Sequence, residues 1–276
     1  ATGFTGQLCA KYFKQNYPDL TWAIAGRDKN KLDDINNKFN LNVDTLVADG
    51  DNLEALRVMA GQAKVILSTA GPFARYSDLL VQACVEQGTH YTDITGENHW
   101  VRTLIDKHHE NASLKGVRIV PSCGYDSIPS DIGTFFAVSQ FNKPVKRVEL
   151  FQEMQGGASG GTIETAFSMG KLSKEMRDPF LLNPENSSTE EQRKYSKDMM
   201  RIEKIEELDG WSGMFVMAAG NTRVVRRTAA LMEQNQNSYG ANFTFGEYGL
   251  HKTKKLARRA SYGLILGFLI IASPLR

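Results

Sequence analysis

The first half of the chain alternates apolar runs with helical stretches, and this restricts the possible folds more than any other feature of the sequence. Apolar runs predict strands at 20–26, 43–49, 63–69, 90–94 and 116–122, with helices between them. The runs are continuously apolar, as expected for parallel strands that helices cover on both faces. The pattern therefore predicts an α/β fold with a doubly wound parallel sheet.

Composition limits the classes of partner and site. The 276 residues are 41% apolar and 23% charged, which is enough apolar material for a full core. Lys plus Arg number 33 against 31 for Asp plus Glu, so bulk charge gives no reason to expect a nucleic-acid partner. The cysteines Cys9, Cys84 and Cys123 lie within apolar segments at no metal-like spacing. They predict buried free thiols in a reducing compartment and no metal site.

The pattern changes near Asp131. Strands are predicted at 146–154, 214–220 and 241–249, helices at 161–176 and 222–234, and a polar loop at 178–198. The cluster Arg223, Arg226 and Arg227 falls on the helix at 222–234, where a solvated face is one interpretation. The predicted division is a cofactor domain at 1–130, a second α+β domain for substrate or dimerisation at 131–250, and a basic and apolar segment at 251–276.

The opening ATGFTGQ has the features of a phosphate-binding turn. Gly3 and Gly6 lie three residues apart and lead directly into an amphipathic helix. In a Rossmann dinucleotide-binding unit, such glycines allow a tight bend and let the backbone approach a pyrophosphate at the helix N-terminus. The first glycine of a GxxGxxG spacing would precede Ala1, so the first strand of the domain is expected to be missing from this chain. Glycines at a helix start also serve turns without any ligand, and that alternative stays open.

The residue after the next strand indicates which cofactor is bound. An acidic residue at this position accepts a hydrogen bond from the ribose 2′-hydroxyl of NAD, whereas an arginine accommodates the 2′-phosphate of NADP. The chain has Gly26 and Arg27 there; Asp28 comes one residue later and is expected to point away. NADP(H) is therefore predicted over NAD(H). The alternative is an Arg27 that only ends the strand at the surface.

Seven motifs in order carry a family resemblance. They are ATGFTGQ, WAIAGR, STAGPF (68–73), GTHYTDITGE (88–97), CGYDSIPSDIG (123–133), GGASGGTIETAF (156–167) and NTRVVRRTAAL (221–231). Together they resemble the saccharopine dehydrogenase-like oxidoreductases, a family similar to the bacterial trans-acting enoyl reductases, over nearly the whole chain. The resemblance implies a Rossmann domain followed by a substrate-covering domain. It also implies hydride transfer from NAD(P)H to an enoyl or keto group of an apolar or lipid-linked substrate.

The resemblance also implies which residues contact the cofactor. Those expected to face the pyrophosphate are Thr2, Gly3, Phe4, Thr5 and Gly6, with Arg27 on the adenosine phosphate. Those expected on the nicotinamide side are Ser68, Thr69, Ala70, Gly71 and Pro72. The last group is also favoured independently, because ligands of doubly wound sheets bind beyond the carboxyl ends of strands and Gly71 permits close backbone approach.

Several polar residues are candidates for the acid–base chemistry. Polar residues that could line one crevice follow two successive strands: His90, Tyr91, Asp93, Glu97, Tyr125, Asp126 and Asp131. Tyr125 and Asp126 are predicted to be catalytic, as a tyrosine or water held by a carboxylate that donates a proton after hydride delivery. The alternative role of Asp93, Asp126 and Asp131 is that of helix caps or turn acceptors. A non-catalytic nucleotide-binding scaffold at a lipid surface remains the alternative function.

The C-terminal segment predicts contact with a lipid surface. Its cations Lys252, Lys254, Lys255, Arg258 and Arg259 precede an uncharged run at 260–275. The run is shorter than the roughly 20 residues that a spanning helix needs, so shallow insertion into a monolayer is predicted. A buried core helix is the alternative. The family resemblance implies an intracellular location at the cytoplasmic face of a membrane or lipid droplet, and a homodimer is possible.

Overall fold

The computed structural model describes residues 1–153, 178–196 and 201–272, with the backbone alone for 268–272. The GGASGGTIETAF motif, the predicted helix at 161–176, the end of the predicted loop at 197–198 and the last residues of the uncharged run at 273–275 lie outside the described residues. The chain forms two compact units. Unit 1 comprises residues 1–95 and 103–123, and unit 2 comprises residues 96–102 and 124–276.

The strands of unit 1 are all parallel. They are β1 (Ala23–Gly26), β2 (Asp44–Val47), β3 (Val65–Ser68), β4 (His90–Asp93) and β5 (Ile119–Val120). Strand β1 pairs with β2, and β4 lies between β3 and β5, so the described strands form two sheets rather than one. Helices alternate with them: α1 (Phe4–Asn16), α2 (Lys29–Lys38), α3 (Leu53–Ala60), α4 (Phe73–Tyr76), α5 (Asp78–Gln87) and α6 (Asn98–Leu114). The predicted parallel α/β fold is confirmed.

Local sequence signals explain where these helices begin and end. Helix α3 begins after Asn52, whose side chain accepts a hydrogen bond from the backbone N–H of Ala55. Helix α5 ends at Gly88, which takes the left-handed conformation (φ 77°) that glycine adopts without strain. Among the predicted free thiols, Cys84 on α5 is buried, whereas Cys9 and Cys123 are only partly buried.

The described part of unit 2 contains a mixed four-stranded sheet. Its strands are β6 (Arg147–Gln152), β7 (Lys204–Ile205), β8 (Gly210–Gly213) and β9 (Thr244–His251), in the spatial order β6-β9-β8-β7. Strand β6 runs parallel to β9, and the other two pairs are antiparallel. The helices are α7 (Ile128–Ser139), α8 (Glu190–Tyr195), α9 (Ala218–Gln234) and α10 (Lys254–Ala272), and a 3₁₀ turn occupies Glu206–Leu208.

The predicted strand at 214–220 is wrong. Residues 218–220 form the first turn of α9, and the strand is instead β8, which precedes this stretch. A Cβ on Gly210 would lie 2.6 Å from Cδ1 of Leu250, and one on Gly213 would lie 2.9 Å from the ring of His251. Strand β8 packs so closely against β9 side chains that glycine occupies a strand despite its poor propensity.

The division between the units differs from the predicted boundary after residue 130, because it falls between Cys123 and Gly124. The side chains of Ser127 and Ser130 already hydrogen-bond within unit 2, to Asn221 and Glu247 respectively. The first turn of α7 therefore belongs to unit 2, although it follows the last strand of unit 1 by only a short loop.

Helix α10 packs against β8 and β9 of the same unit. Ala257 and Ser261 are buried, and the Ser261 hydroxyl accepts a hydrogen bond from the backbone N–H of Met214 at 2.8 Å. Among the helices in the described part of the chain, none has the length and apolar character needed to cross a membrane.

Candidate cofactor site

Two glycines lie at the start of α1: Gly3 immediately before the helix and Gly6 in its first turn. A Cβ on Gly6 would lie 2.6 Å from the carbonyl oxygen of Ala1, so the backbone of Ala1 excludes any side chain there. Gly3 has φ −72° and ψ 168°, which any residue adopts, and a Cβ built on it would meet no described residue within 4 Å other than its chain neighbours. Neither backbone conformation nor packing among the described residues therefore requires glycine at position 3.

The space beside Gly3 lies at the N-terminus of a 13-residue helix. Gly3 provides no side-chain cap, and the first described helical bond runs from the N–H of Gln7 to the carbonyl of Gly3. The first N–H groups of a helix lack intrahelical acceptors, and the helix dipole favours an anion there. This geometry fits a phosphate group of a dinucleotide at Thr2, Gly3, Phe4, Thr5 and Gly6.

The basic and the acidic residue that follow β1, Arg27 and Asp28, have side chains in different surroundings. Asp28 caps α2, because its carboxylate accepts from the N–H of Lys31 at 3.1 Å and pairs with the Lys31 ammonium at 3.7 Å. The guanidinium of Arg27 is exposed and has no hydrogen bond or ion pair with any other described residue. Arg27 is therefore available to an external anion, whereas Asp28 is engaged in its own helix.

The segment after β3 lies between two buried residues. Ser68, the last residue of β3, is buried, and so is Phe73, the first residue of α4. A Cβ on Gly71 would lie 3.2 Å from the Phe73 ring, and the Gly71–Pro72 peptide is cis. The five residues predicted to face the nicotinamide thus follow directly the carboxyl end of a parallel strand: Ser68, Thr69, Ala70, Gly71 and Pro72.

Asp93 ties the end of β4 to the segment after β5. Its carboxylate is fully buried and accepts hydrogen bonds from the Tyr91 hydroxyl at 2.9 Å, the Thr95 N–H at 2.9 Å and the Ser122 N–H at 3.0 Å. Burial and the neighbouring Asp93 charge raise the pKa of the Tyr91 phenol well above its usual range. This pair is suited to hold the strand ends together, and a tyrosine so hard to ionise is a poor proton donor.

His90 lies at the opposite end of the same strand. Its Nδ1 accepts a hydrogen bond from the N–H of Arg118 at 3.0 Å, at the amino end of β4. Asp93 lies three positions further along the strand, a distance of about 10 Å. The sequence-based grouping of His90 with the residues after the strand is therefore not supported.

The remaining acid–base candidates belong to unit 2. Tyr125 is 88% exposed, and burial raises the pKa of Asp126. Asp131 accepts a hydrogen bond from the Thr228 hydroxyl at 2.9 Å, and burial raises its pKa to about 6. Glu97 is buried. The assignment of Tyr125 and Asp126 as catalytic residues stays a prediction.

Sequence reasoning missed a buried polar network under α7. Oε1 of Glu247 accepts hydrogen bonds from the Ser130 hydroxyl at 2.7 Å, the Gln152 amide at 2.9 Å and the Asn221 amide at 3.2 Å. The Ser127 hydroxyl donates to Asn221 Oδ1 at 3.0 Å. The spacing of the two serines in CGYDSIPSDIG was the only signal, since Glu247 lies in a strand far along the chain.

The arginine cluster on α9 is not a solvated face. Arg223 and Arg226 are buried, and the three guanidinium groups donate to backbone carbonyls of one segment: Arg223 to Asp178, Arg226 to Pro179 and Arg227 to Leu182. The Arg226 guanidinium also lies 5.3 Å from the centre of the Phe180 ring. The cluster therefore fixes residues 178–182 instead of contacting water, because a charged fork satisfies several carbonyls at once.

Comparison with known proteins agrees with this geometry. Residues 1–120 match the family described as saccharopine dehydrogenase NADP binding domain. The predicted preference for NADP(H) is thereby confirmed at the level of the domain.

Relatives extend the similarity through both units. The chain is 34% identical over 289 residues to a trans-acting enoyl reductase of Mycobacterium ulcerans, covering 97% of this chain and 68% of that protein. It is 34% identical over 271 residues to the trans-acting enoyl reductase of Mycobacterium leprae, covering 90% and 63% respectively. The chain thus spans about two thirds of the length of these relatives.

Among solved structures, a saccharopine dehydrogenase from Saccharomyces cerevisiae is similar with a TM-score of 0.46 and 13% identity. The similarity covers 55% of this chain and 33% of that one.

Proposed function

We propose that this chain, which belongs to the saccharopine dehydrogenase-like family that includes the trans-acting enoyl reductases, carries an NADPH-dependent reductase activity. The proposed substrate is an apolar or lipid-linked molecule with an enoyl or keto group. One arrangement supports the proposal: among the described residues, none beyond its chain neighbours fills the space beside Gly3 at the N-terminus of α1, and none pairs with the guanidinium of Arg27.

Each part of the cofactor would have its own contacts in unit 1. The N–H groups at the start of α1 would hold the pyrophosphate, and Arg27 would hold the 2′-phosphate. The backbone around Gly71 would support the nicotinamide side. The bound cofactor supplies a hydride, and the role of these residues is to bind and orient it.

The proton would come from the start of α7. The Tyr125 hydroxyl is exposed, and the neighbouring Asp126 has a raised pKa because it is partly desolvated. A carboxyl with a raised pKa holds its proton more readily than an ordinary aspartate, and it would return a proton to the tyrosine or to a water. Tyr91 is not part of this step, since it is buried and bonded to Asp93.

A second proposal concerns location at the cytoplasmic face of a membrane or lipid droplet. The outward residues of α10 are Lys255, Arg259, Tyr262 and Leu266, which recur at helical spacing and are exposed. Cations beside an aromatic and an aliphatic residue suit anionic headgroups and the layer beneath them. The same surface would serve a non-catalytic nucleotide-binding scaffold, which is the alternative function.

Cofactor oxidation separates the two functions. The purified protein should bind NADPH and oxidise it in proportion to added trans-dodecenoyl N-acetylcysteamine, with the saturated thioester as product. Gly3→Ala should lose both binding and turnover. NADPH binding without turnover of any enoyl or keto compound would favour the scaffold.

A further inference from the structure

Helix α7 has the reverse of the usual amphipathic arrangement. Its buried side carries the polar residues Ser130 and Thr134, which are 0% and 3% exposed. Its outer side carries large apolar residues that are 38% to 64% exposed: Ile128, Ile132, Phe135 and Phe136. A contiguous apolar surface is uncommon on a protein that meets only water and marks a binding surface.

The polar network prevents α7 from turning this side inward. Ser130 donates to Glu247 and accepts from the Asn221 amide at 3.3 Å, and Ser127, the residue before the helix, donates to Asn221. Thr134 donates to the backbone carbonyl of Ser130. Rotating the helix would leave buried polar groups of Glu247 and Asn221 without partners, which is costly. The outward position of the apolar residues is therefore built into unit 2.

The outer side carries no charge. From Ser127 to Asn142 the one charged residue is Asp131, which is partly buried and bonded to Thr228. A partner with charged side chains would form no ion pair on this surface. A hydrocarbon chain has no polar group that would lose its hydrogen bonds to water by binding here.

The apolar side begins three positions after a residue of the proposed reaction. Tyr125 precedes Ile128 by three positions and is itself exposed. From Ile128 to Phe136 the helix rises by about 12 Å, so the apolar side is an elongated surface. A substrate whose reacting group contacts Tyr125 would place its acyl chain along this surface.

We propose that the outer side of α7, formed by Ile128, Ile132, Phe135 and Phe136, binds the acyl chain of the substrate and sets its preferred length. This inference rests on the proposed function, because the reacting group must be near Tyr125. These four side chains would determine the preferred chain length of the substrate but would take no part in the chemical reaction.

The test compares a short and a long substrate. The variants are the double substitution Ile132→Ser with Phe136→Ser and, as a control, Leu114→Ser, which replaces an equally apolar side chain that is 85% exposed on α6. The wild type, the double variant and the control are each assayed with NADPH and either crotonyl or trans-dodecenoyl N-acetylcysteamine. In the double variant, the ratio of kcat/KM for the long over the short thioester should fall at least about tenfold, because contacts with several methylenes are lost. The ratio should be unchanged in the control.

Other outcomes identify a different occupant. An unchanged ratio in the folded double variant overturns the proposal. A wild-type dimer that becomes monomeric in the double variant, seen by sedimentation with an unchanged ratio, would assign the surface to a second copy of the chain. Loss of flotation with liposomes, again with an unchanged ratio, would assign it to a membrane.

Failure of the proposed reductase activity can be distinguished from failure of the proposed acyl-chain site. If the wild type reduces neither thioester, the activity proposal is wrong, and calorimetric titration with dodecanoyl N-acetylcysteamine decides the acyl site. Binding that weakens at least about tenfold in the double variant supports the site, and equal binding by both proteins overturns it.

Discussion

The carboxylate of Asp28 accepts a hydrogen bond from the backbone N–H of Lys31 at 3.1 Å. This bond makes Asp28 the N-cap of α2 and leaves Arg27 as the side chain available where the second strand of a dinucleotide-binding unit meets the adenosine ribose. In the proposed site, Arg27 would determine the cofactor preference, whereas the adjacent Asp28 stabilises the helix.

Removing the cap should affect stability but not cofactor choice. Asp28→Ala should lower the free energy of unfolding by about 1 kcal/mol, because an orphan N–H loses its acceptor. The ratio of NADPH to NADH affinity should stay within about twofold of wild type. Denaturant unfolding and cofactor fluorescence titration measure the two effects. A gain in NADH affinity or loss of NADPH affinity at unchanged stability would show that Asp28 contacts the ribose instead.

Gly3 and Gly6 should respond differently to an added methyl group. Gly3→Ala should leave the unfolding free energy nearly unchanged, since its Cβ would meet no described residue within 4 Å other than its chain neighbours. It should weaken NADPH binding, because the cofactor would occupy that space in the proposed site. Gly6→Ala should destabilise the protein by about 1 to 3 kcal/mol, because its Cβ would lie 2.6 Å from the Ala1 carbonyl oxygen. Wild-type NADPH affinity in Gly3→Ala would contradict the site.

The sequence predicted the cofactor unit better than the rest because its signals are local. Glycine spacing, the cap at Asp28 and the apolar strands all act within a few residues. Strand β8 could not be predicted, since Gly210 is placed by the side chain of Leu250, 40 positions along the chain. The network around Glu247 was likewise hidden, because its partners come from α7, β6 and α9. Long-range packing overrides local propensity in unit 2.

Stability should depend on pH through Asp131. Its pKa is raised from 3.8 to about 6, so the folded state binds this proton more tightly than the unfolded state. The resulting stabilisation is complete below pH 4 and is lost as the pH rises through 6, for a change on the order of 2 to 3 kcal/mol.

Asp131→Asn isolates that change. The variant should gain stability relative to wild type between pH 4 and pH 7, whereas Asp44→Asn, an exposed control, should not. Urea unfolding at several pH values measures both. A constant difference between wild type and Asp131→Asn across this range would show that Asp131 keeps an ordinary pKa.

The lipid-surface proposal is tested by charge reversal on α10. Arg258→Glu with Arg259→Glu should abolish flotation with anionic liposomes, because each cation near the surface is worth up to about 1 kcal/mol. Lys11→Glu with Lys143→Glu makes the same change in net charge at exposed positions elsewhere and should float like wild type. If both variants float equally well, or if wild type never floats, α10 is not a lipid-binding element.

The most direct test of the cofactor assignment is the affinity of Arg27→Ala for the two nicotinamide cofactors. NADPH binding should weaken by about 1.5 to 3 kcal/mol, the value of a hydrogen bond to a charged group, while NADH binding stays unchanged. Lys29→Ala, a neighbouring cation paired with Asp33, should leave both affinities unchanged. Equal losses of NADPH and NADH affinity in Arg27→Ala, or no loss of either, would contradict the account.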